Sequence, residues 1–166
     1  MRRSLKPEAL TAAGFAPFGD VLGATELKDT LSINHGQTQR YHRLASVDIA
    51  GQAGPPIISI FRSQPVSLPF TVAVMERHPL GSQAFMPLSG LPYLVVVAPP
   101  GKLDMHKLKV FLAGPGQGVN YHRGTWHHYN LALQGQSDFL VVDGAGPDNF
   151  DEIQLPVEQR VSLALE

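Results

Sequence analysis

The feature that most constrains this chain is a succession of short apolar runs, each cut off by glycine, proline, asparagine or aspartate. From Gln39 onward the chain reads "QRYHRLASVDI", "PPIISIFRS", "PFTVAVMERH", "AFMPL", "LPYLVVVAPP", "HKLKVFLAG", "GVNYHRGTWHHYNLAL" and "SDFLVVDGAG". Short runs rich in Val, Ile, Phe, Tyr and Leu with such boundaries are strand signals. Uninterrupted runs such as "YLVVVA" and "FLVVD" suit strands buried on both faces, or strands of a closed two-layer structure. Many short strands at regular spacing predict an all-β chain, folded as an antiparallel barrel or jelly roll. Near the N-terminus "LKPEALTAAGF" predicts one short helix, with Pro7 in its first turn, Glu8 behind it and Gly14 to stop it. The tail "DEIQLPVEQRVSLALE" predicts a last edge strand and a short helix at a subunit contact.

The 166 residues suit one domain spanning 1–166. The 16 glycines and 14 prolines are scattered, as tight turns between short strands require. Net charge is −1 with no long run of either sign, so no nucleic-acid partner is expected. There are no cysteines, which rules out disulfides, thiolate zinc sites and a thiol nucleophile. Any metal must therefore be held by His, Glu, Asp or amide oxygen. No apolar stretch is long enough for a signal peptide or a membrane span, so no membrane partner is expected and the cytoplasm is the default location.

Two polar clusters interrupt the apolar pattern: "MERHPLGSQAFMPLSG" and "GQGVNYHRGTWHHYN". Residues i and i+2 of a strand point to one side, so Glu76 and His78 share a face. A turn over residues 79–81 is expected to bring Gln83 back on the neighbouring strand. A second hairpin, turned at Arg123 and Gly124, would aim His127 into the same space, with His122 across the turn. His128 alternates away from His127. His35, His42 and His106 lie near turns or on a surface strand, where no site role is expected. "GPGQG" lacks the Lys-Ser/Thr of a phosphate loop and reads as a turn.

The spacing of these clusters resembles the two metal-ligand motifs of cupin barrels. Glu76, His78, Gln83 and Gly90 fall in the slots of the first motif. Gly116, His122, Gly124, His127 and Asn130 fall in those of the second, with His122 in the proline slot and Asn130 one residue early. Over nearly its full length the chain resembles the ureidoglycolate lyase family of allantoin degradation. That likeness rests on "FAPFGDV", "QRYH", "ISIFR", "ERHPLGSQAFMPL", "PYLVVVA", "GQGVNYHRGTWHH" and "FLVVD". Gly144 stands where the family usually carries an arginine after "FLVVD".

The resemblance implies a lyase that splits ureidoglycolate into glyoxylate and urea, working as a homodimer. It also implies a divalent metal, nickel, with Glu76, His78, Gln83 and His127 as candidate ligands. Gln83 brings no charge to the glutamate slot, so the ion would be held more weakly than in a standard cupin. The reaction needs a base for the hydroxyl proton, an acid for the leaving nitrogen and a cation for the carboxylate. His127 or His78 is expected to take the proton, and Gln83 or Glu76 to position or protonate the urea. Arg40, Arg62 or Lys107 would hold the carboxylate, with His122 and Trp126 as further substrate-binding candidates. Two other readings stay open. One is a cupin enzyme acting on a different small carboxylic acid. The other is a non-catalytic ligand-sensing cupin, although no DNA-recognition helix accompanies the barrel pattern.

Overall fold

The computed structural model describes residues 3–24, 29–49 and 51–165. Two sheets face each other. The first has seven strands, running in the order Asp151–Gln154, Val74–Arg77, Trp126–His127, Tyr93–Ala98, Lys109–Ala113 and Glu8–Ala9, with Leu131–Ala132 also paired to Tyr93–Ala98. The second runs Gly19–Leu22, Gly118–Tyr121, Gln83–Pro87, Ser137–Gly144 and Pro56–Ser63. A small sheet of Ser4–Leu5, Val161–Leu163 and Phe70–Val72 makes a third layer, and Thr30–Ile33 pairs with Thr38–Tyr41 as a separate hairpin. This is the expected all-β, cupin-like architecture, antiparallel except for short parallel pairings such as Glu8–Ala9 against Phe111 and Leu112.

Strand alternation explains why "YLVVVA" carries no polar residue. Val95 and Val97 point between the two large sheets, where they meet Phe111, Phe85, Val119, Tyr121, Phe139 and Val141. Their neighbours Leu94, Val96 and Ala98 point the other way and pack with Val110, Trp126 and Leu131, and with Val72, Val161 and Leu163 of the small sheet. Both faces are covered, so alternation in hydrophobicity disappears. Each such buried Val or Leu stabilises the fold by about 1.5–3 kcal/mol relative to exposure.

The predicted N-terminal helix over residues 5–15 is corrected to its last four residues, Ala12–Phe15. Ahead of it Glu8–Ala9 pairs with the Lys109–Ala113 strand, so neighbouring strand edges claim the backbone that helix propensity would have used. Thr11 caps the short helix by accepting a hydrogen bond from the Gly14 amide, and Gly14 lies inside rather than beyond it. The tail forms the expected edge strand, Asp151–Gln154. The helix expected after it is a single 3₁₀ turn at Val157–Gln159, followed by Val161–Leu163. Among the described residues no helix is long and apolar enough to cross a membrane.

The turns of the two polar clusters also differ from expectation. Val74–Arg77 and Gln83–Pro87 are not neighbours in one sheet, and neither are Gly118–Tyr121 and Trp126–His127. Each turn crosses from one large sheet to the other. The Gly124 amide donates to the His78 carbonyl at 2.9 Å, which ties the two crossings together at the same end of the sandwich.

Candidate active site

Glu76 and His127 are direct register partners on adjacent strands of the seven-stranded sheet. Their neighbours Met75 and Trp126 belong to the outer core cluster, so alternation turns Glu76 and His127 inward. His78 follows two residues after Glu76. One ligand atom each from Glu76, His78 and His127 lies within 4.8 Å of the other two. The His78 ring lies against that of His127, with centroids 5.4 Å apart and planes at 25°. On its other side His127 stacks on Tyr121 of the facing sheet, at 4.2 Å and 1°.

The hydrogen bonds fix which ring nitrogens are free. His78 Nδ1 lies 2.7 Å from the Asn149 carbonyl, and His127 Nδ1 lies 3.3 Å from the His128 carbonyl. A carbonyl only accepts, so each Nδ1 carries the proton and each Nε2 keeps a lone pair. Both Nε2 atoms are buried and have no hydrogen-bond partner among the described residues. Asn149 is itself anchored, since its Oδ1 accepts from the Leu80 amide.

Burial sets the charge states. The His127 pKa is pushed down to about 3, first by burial and then by the nearby His78. The Glu76 carboxyl is pushed up to about 7, first by burial and then by Glu152, its register partner on the edge strand. His127 Nδ1 and Glu76 Oε1 are 3.5 Å apart, a contact that on its own would favour both charged forms. Desolvation outweighs it, and the pair sits near neutral.

Gln83 also faces inward, opposite Tyr121 in the register. Its Nε2 donates to Asp143 Oδ2 at 2.8 Å, and its Oε1 is buried without a partner. Asp143 was not anticipated from the sequence. Its signal was the polar end of "FLVVD", in phase with inward-facing Phe139 and Val141. Tyr121 and Asn149 were missed as well: one reads as core, and the other sits in the loop "GPDNF" with no periodicity to place it.

The remaining candidates do not join this group. Trp126 faces the outer cluster, its Nε1 donates to the Gly101 carbonyl at 2.9 Å, and Arg77 lies over its ring. His122 Nε2 lies 2.9 Å from Asp20 Oδ2 at the exposed turn. Arg62 makes two hydrogen bonds to Asp138, at 2.8 and 2.9 Å. Arg40 is exposed on the separate hairpin, and Lys107 lines a surface cavity with Lys102 and His106. His128 turns away from His127, as alternation requires, and packs edge-on against Phe70. At Gly144 a side chain would run into the Ala53 carbonyl, so the position has a packing reason to stay glycine.

The donor set fits a divalent metal. Two histidines cluster with a carboxylate, each with a buried Nε2 left open, and both Nδ1 atoms are held by backbone carbonyls, the usual second layer of a histidine-bound ion.

Fold and site together define a cupin-like all-β protein with a His-His-Glu cluster on the inner face of its sandwich. The family model described as ureidoglycolate lyase matches residues 2–162. Curated ureidoglycolate lyases are similar along most of their length. One from Burkholderia mallei is 51% identical, covering 93% of this chain and 91% of its own. One from Pseudomonas entomophila is 50% identical over 97% of both chains, and one from Pseudomonas fluorescens 48% identical over 98% of both. The chain belongs to the ureidoglycolate lyase family.

Proposed function

We propose that this chain splits ureidoglycolate into glyoxylate and urea, in the cytoplasm, as a step of allantoin degradation. Family membership supports the reaction. The observation that carries the site is the clustering of His78, His127 and Glu76, with the Nε2 atoms of both histidines buried and without a partner among the described residues.

The substrate carries a hydroxyl and a urea nitrogen on one carbon, next to a carboxylate. The hydroxyl loses its proton, the carbon–nitrogen bond breaks as the carbonyl forms, and the urea nitrogen gains a proton. Nothing is oxidised or reduced. His78, His127 and one oxygen of Glu76 would hold a divalent ion, nickel in this reading, which when bound supplies Lewis-acid polarisation of a substrate oxygen. The second oxygen of Glu76 is left to take the hydroxyl proton and return one to the urea nitrogen. The open Oε1 of Gln83 accepts from a urea N–H, while its Nε2 stays on Asp143. Asn149 is a positioning residue, holding the His78 ring so that Nε2 faces the site.

The test is an assay for urea and glyoxylate with purified protein, before and after chelation and after adding back Ni²⁺. Turnover that is lost on chelation and restored by the ion is the expected result. Failure to release either product under any of these conditions would sink the proposal. Release undiminished by exhaustive chelation would remove the ion and leave the reaction.

A further inference from the structure

We infer that the active site is completed by a second copy of this chain, whose hairpin of residues 30–41 docks on the open edge of the sandwich and supplies Arg40 to hold the substrate carboxylate. The inference rests on the proposed reaction.

Three observations converge. The first is the hairpin itself. Of its residues only Ile33 is even partly covered, while Leu31, Tyr41 and Arg40 are exposed. A lone two-stranded hairpin is marginal in water and needs a surface to pack on.

The second is the edge. Pro56–Ser63 is the last strand of its sheet and pairs on one side only, with Ser137–Gly144. Both of its faces are open: Ile58 and Ile60 are 73% and 55% exposed on one, Ile57 and Phe61 40% and 43% on the other. It contains no lysine, and its one charge, Arg62, is tied to Asp138. A long apolar edge without blocking charges is a template for another strand. This edge also borders the active site. Ile57 lies opposite Asp143, Asp143 bonds to Gln83, and Gln83 lies opposite Tyr121, which stacks on His127.

The third is charge. The inner face carries Asp143 and the half-buried Glu76, with Glu152 opposite Glu76 on the other edge. Four of the described arginines near the sheets are occupied elsewhere, and Arg43 lines a surface pocket with Asp20 and Asp48. Arg62 is bound to Asp138, Arg77 to Asp151, Arg123 to Asp48 and Arg160 to the Leu155 carbonyl. The proposed ion is committed to the histidines and Glu76, so a substrate carboxylate beside Asp143 gains from a second cation. Arg40, exposed on the hairpin and with no carboxylate partner among the described residues, fits that need. A reciprocal exchange of hairpins about a two-fold axis closes both sites and leaves no open interface.

Complementation between two impaired chains, assayed at substrate well below KM, tests this. Arg40→Gln and His127→Ala are each assayed alone, then co-expressed with different tags and isolated as the mixed dimer. Arg40→Gln alone is expected to raise KM at least ~10-fold, the loss of a charge-assisted pair to a carboxylate. A random mixture of the two chains should recover about a quarter of the wild-type rate, because about half the dimers are mixed and each of those holds one intact site. A verified mixed dimer with no recovery overturns the inference, as does normal activity of Arg40→Gln or a wild-type chain that sediments as a monomer. Should His127→Ala fail to fold, His78→Gln replaces it in the cross. Wild-type activity in His127→Ala would instead defeat the proposed site and leave the oligomeric claim to the sedimentation result.

Discussion

At the scale of single residues, His127 shows how burial and alternation divide labour among neighbours. Trp126 and His128 serve the outer core, while His127 between them faces the site. Replacing His127 by Ala is expected to abolish urea release and lower bound metal, measured by elemental analysis, with an unchanged far-UV spectrum. Trp126→Phe is expected to behave in the opposite way. It loses the bond to Gly101 and the Arg77 contact, costing about 1–2 kcal/mol in denaturant unfolding. Its KM should stay near wild type, because the indole lies on the wrong face to meet substrate. Gln83→Glu would set a second carboxylate against Asp143 and remove the donor that holds it. Like charges at that distance repel, so kcat in the urea assay is expected to fall ~10-fold or more.

At the scale of elements, the strands were legible in the sequence because each side chain reports its own burial. "YLVVVA" is apolar throughout since both faces are covered, and Glu76 with His78 could be placed on one face by period alone. What could not be read was which sheet a strand joins. The turns after His78 and after His122 read as hairpins, yet each crosses between sheets. Turn chemistry fixes a reversal of direction, and long-range packing decides the partner. Asp143 escaped notice for the same reason: only the register with Ile57 and the bond to Gln83 put it at the site. The N-terminal helix failed because edge pairing at Glu8–Ala9 outweighed propensity. Close strand approach is visible at Gly118, where an added methyl would strike the Phe85 carbonyl and Met86. Gly118→Ala is expected to cost about 1–3 kcal/mol, read as a lower midpoint in urea unfolding.

At the scale of the whole molecule, two open sheet ends dominate. One large sheet ends at Asp151–Gln154 and the other at Pro56–Ser63, with the His-His-Glu cluster and Gln83 reached between them. On the inferred docking, burial of the second edge by another copy would link stability to concentration. The melting temperature is expected to rise with protein concentration, since mass action favours the folded dimer. Scanning calorimetry across a hundredfold dilution checks this, and a Tm independent of concentration would argue for a monomer.

The coplanar contact between Tyr121 and His127 has a consequence for how such a protein can change over evolutionary time. The tyrosine belongs to the inner core, sharing contacts with Phe15 and Phe85. The imidazole is therefore backed by the same cluster that holds the sandwich together, and its orientation cannot drift without loosening the core. Mutations that tolerate a new substrate should accumulate instead at exposed positions near the site, such as Phe150, whose ring lies 5.9 Å from that of His78. There, a change in preference costs less folding energy than one that moves the imidazole.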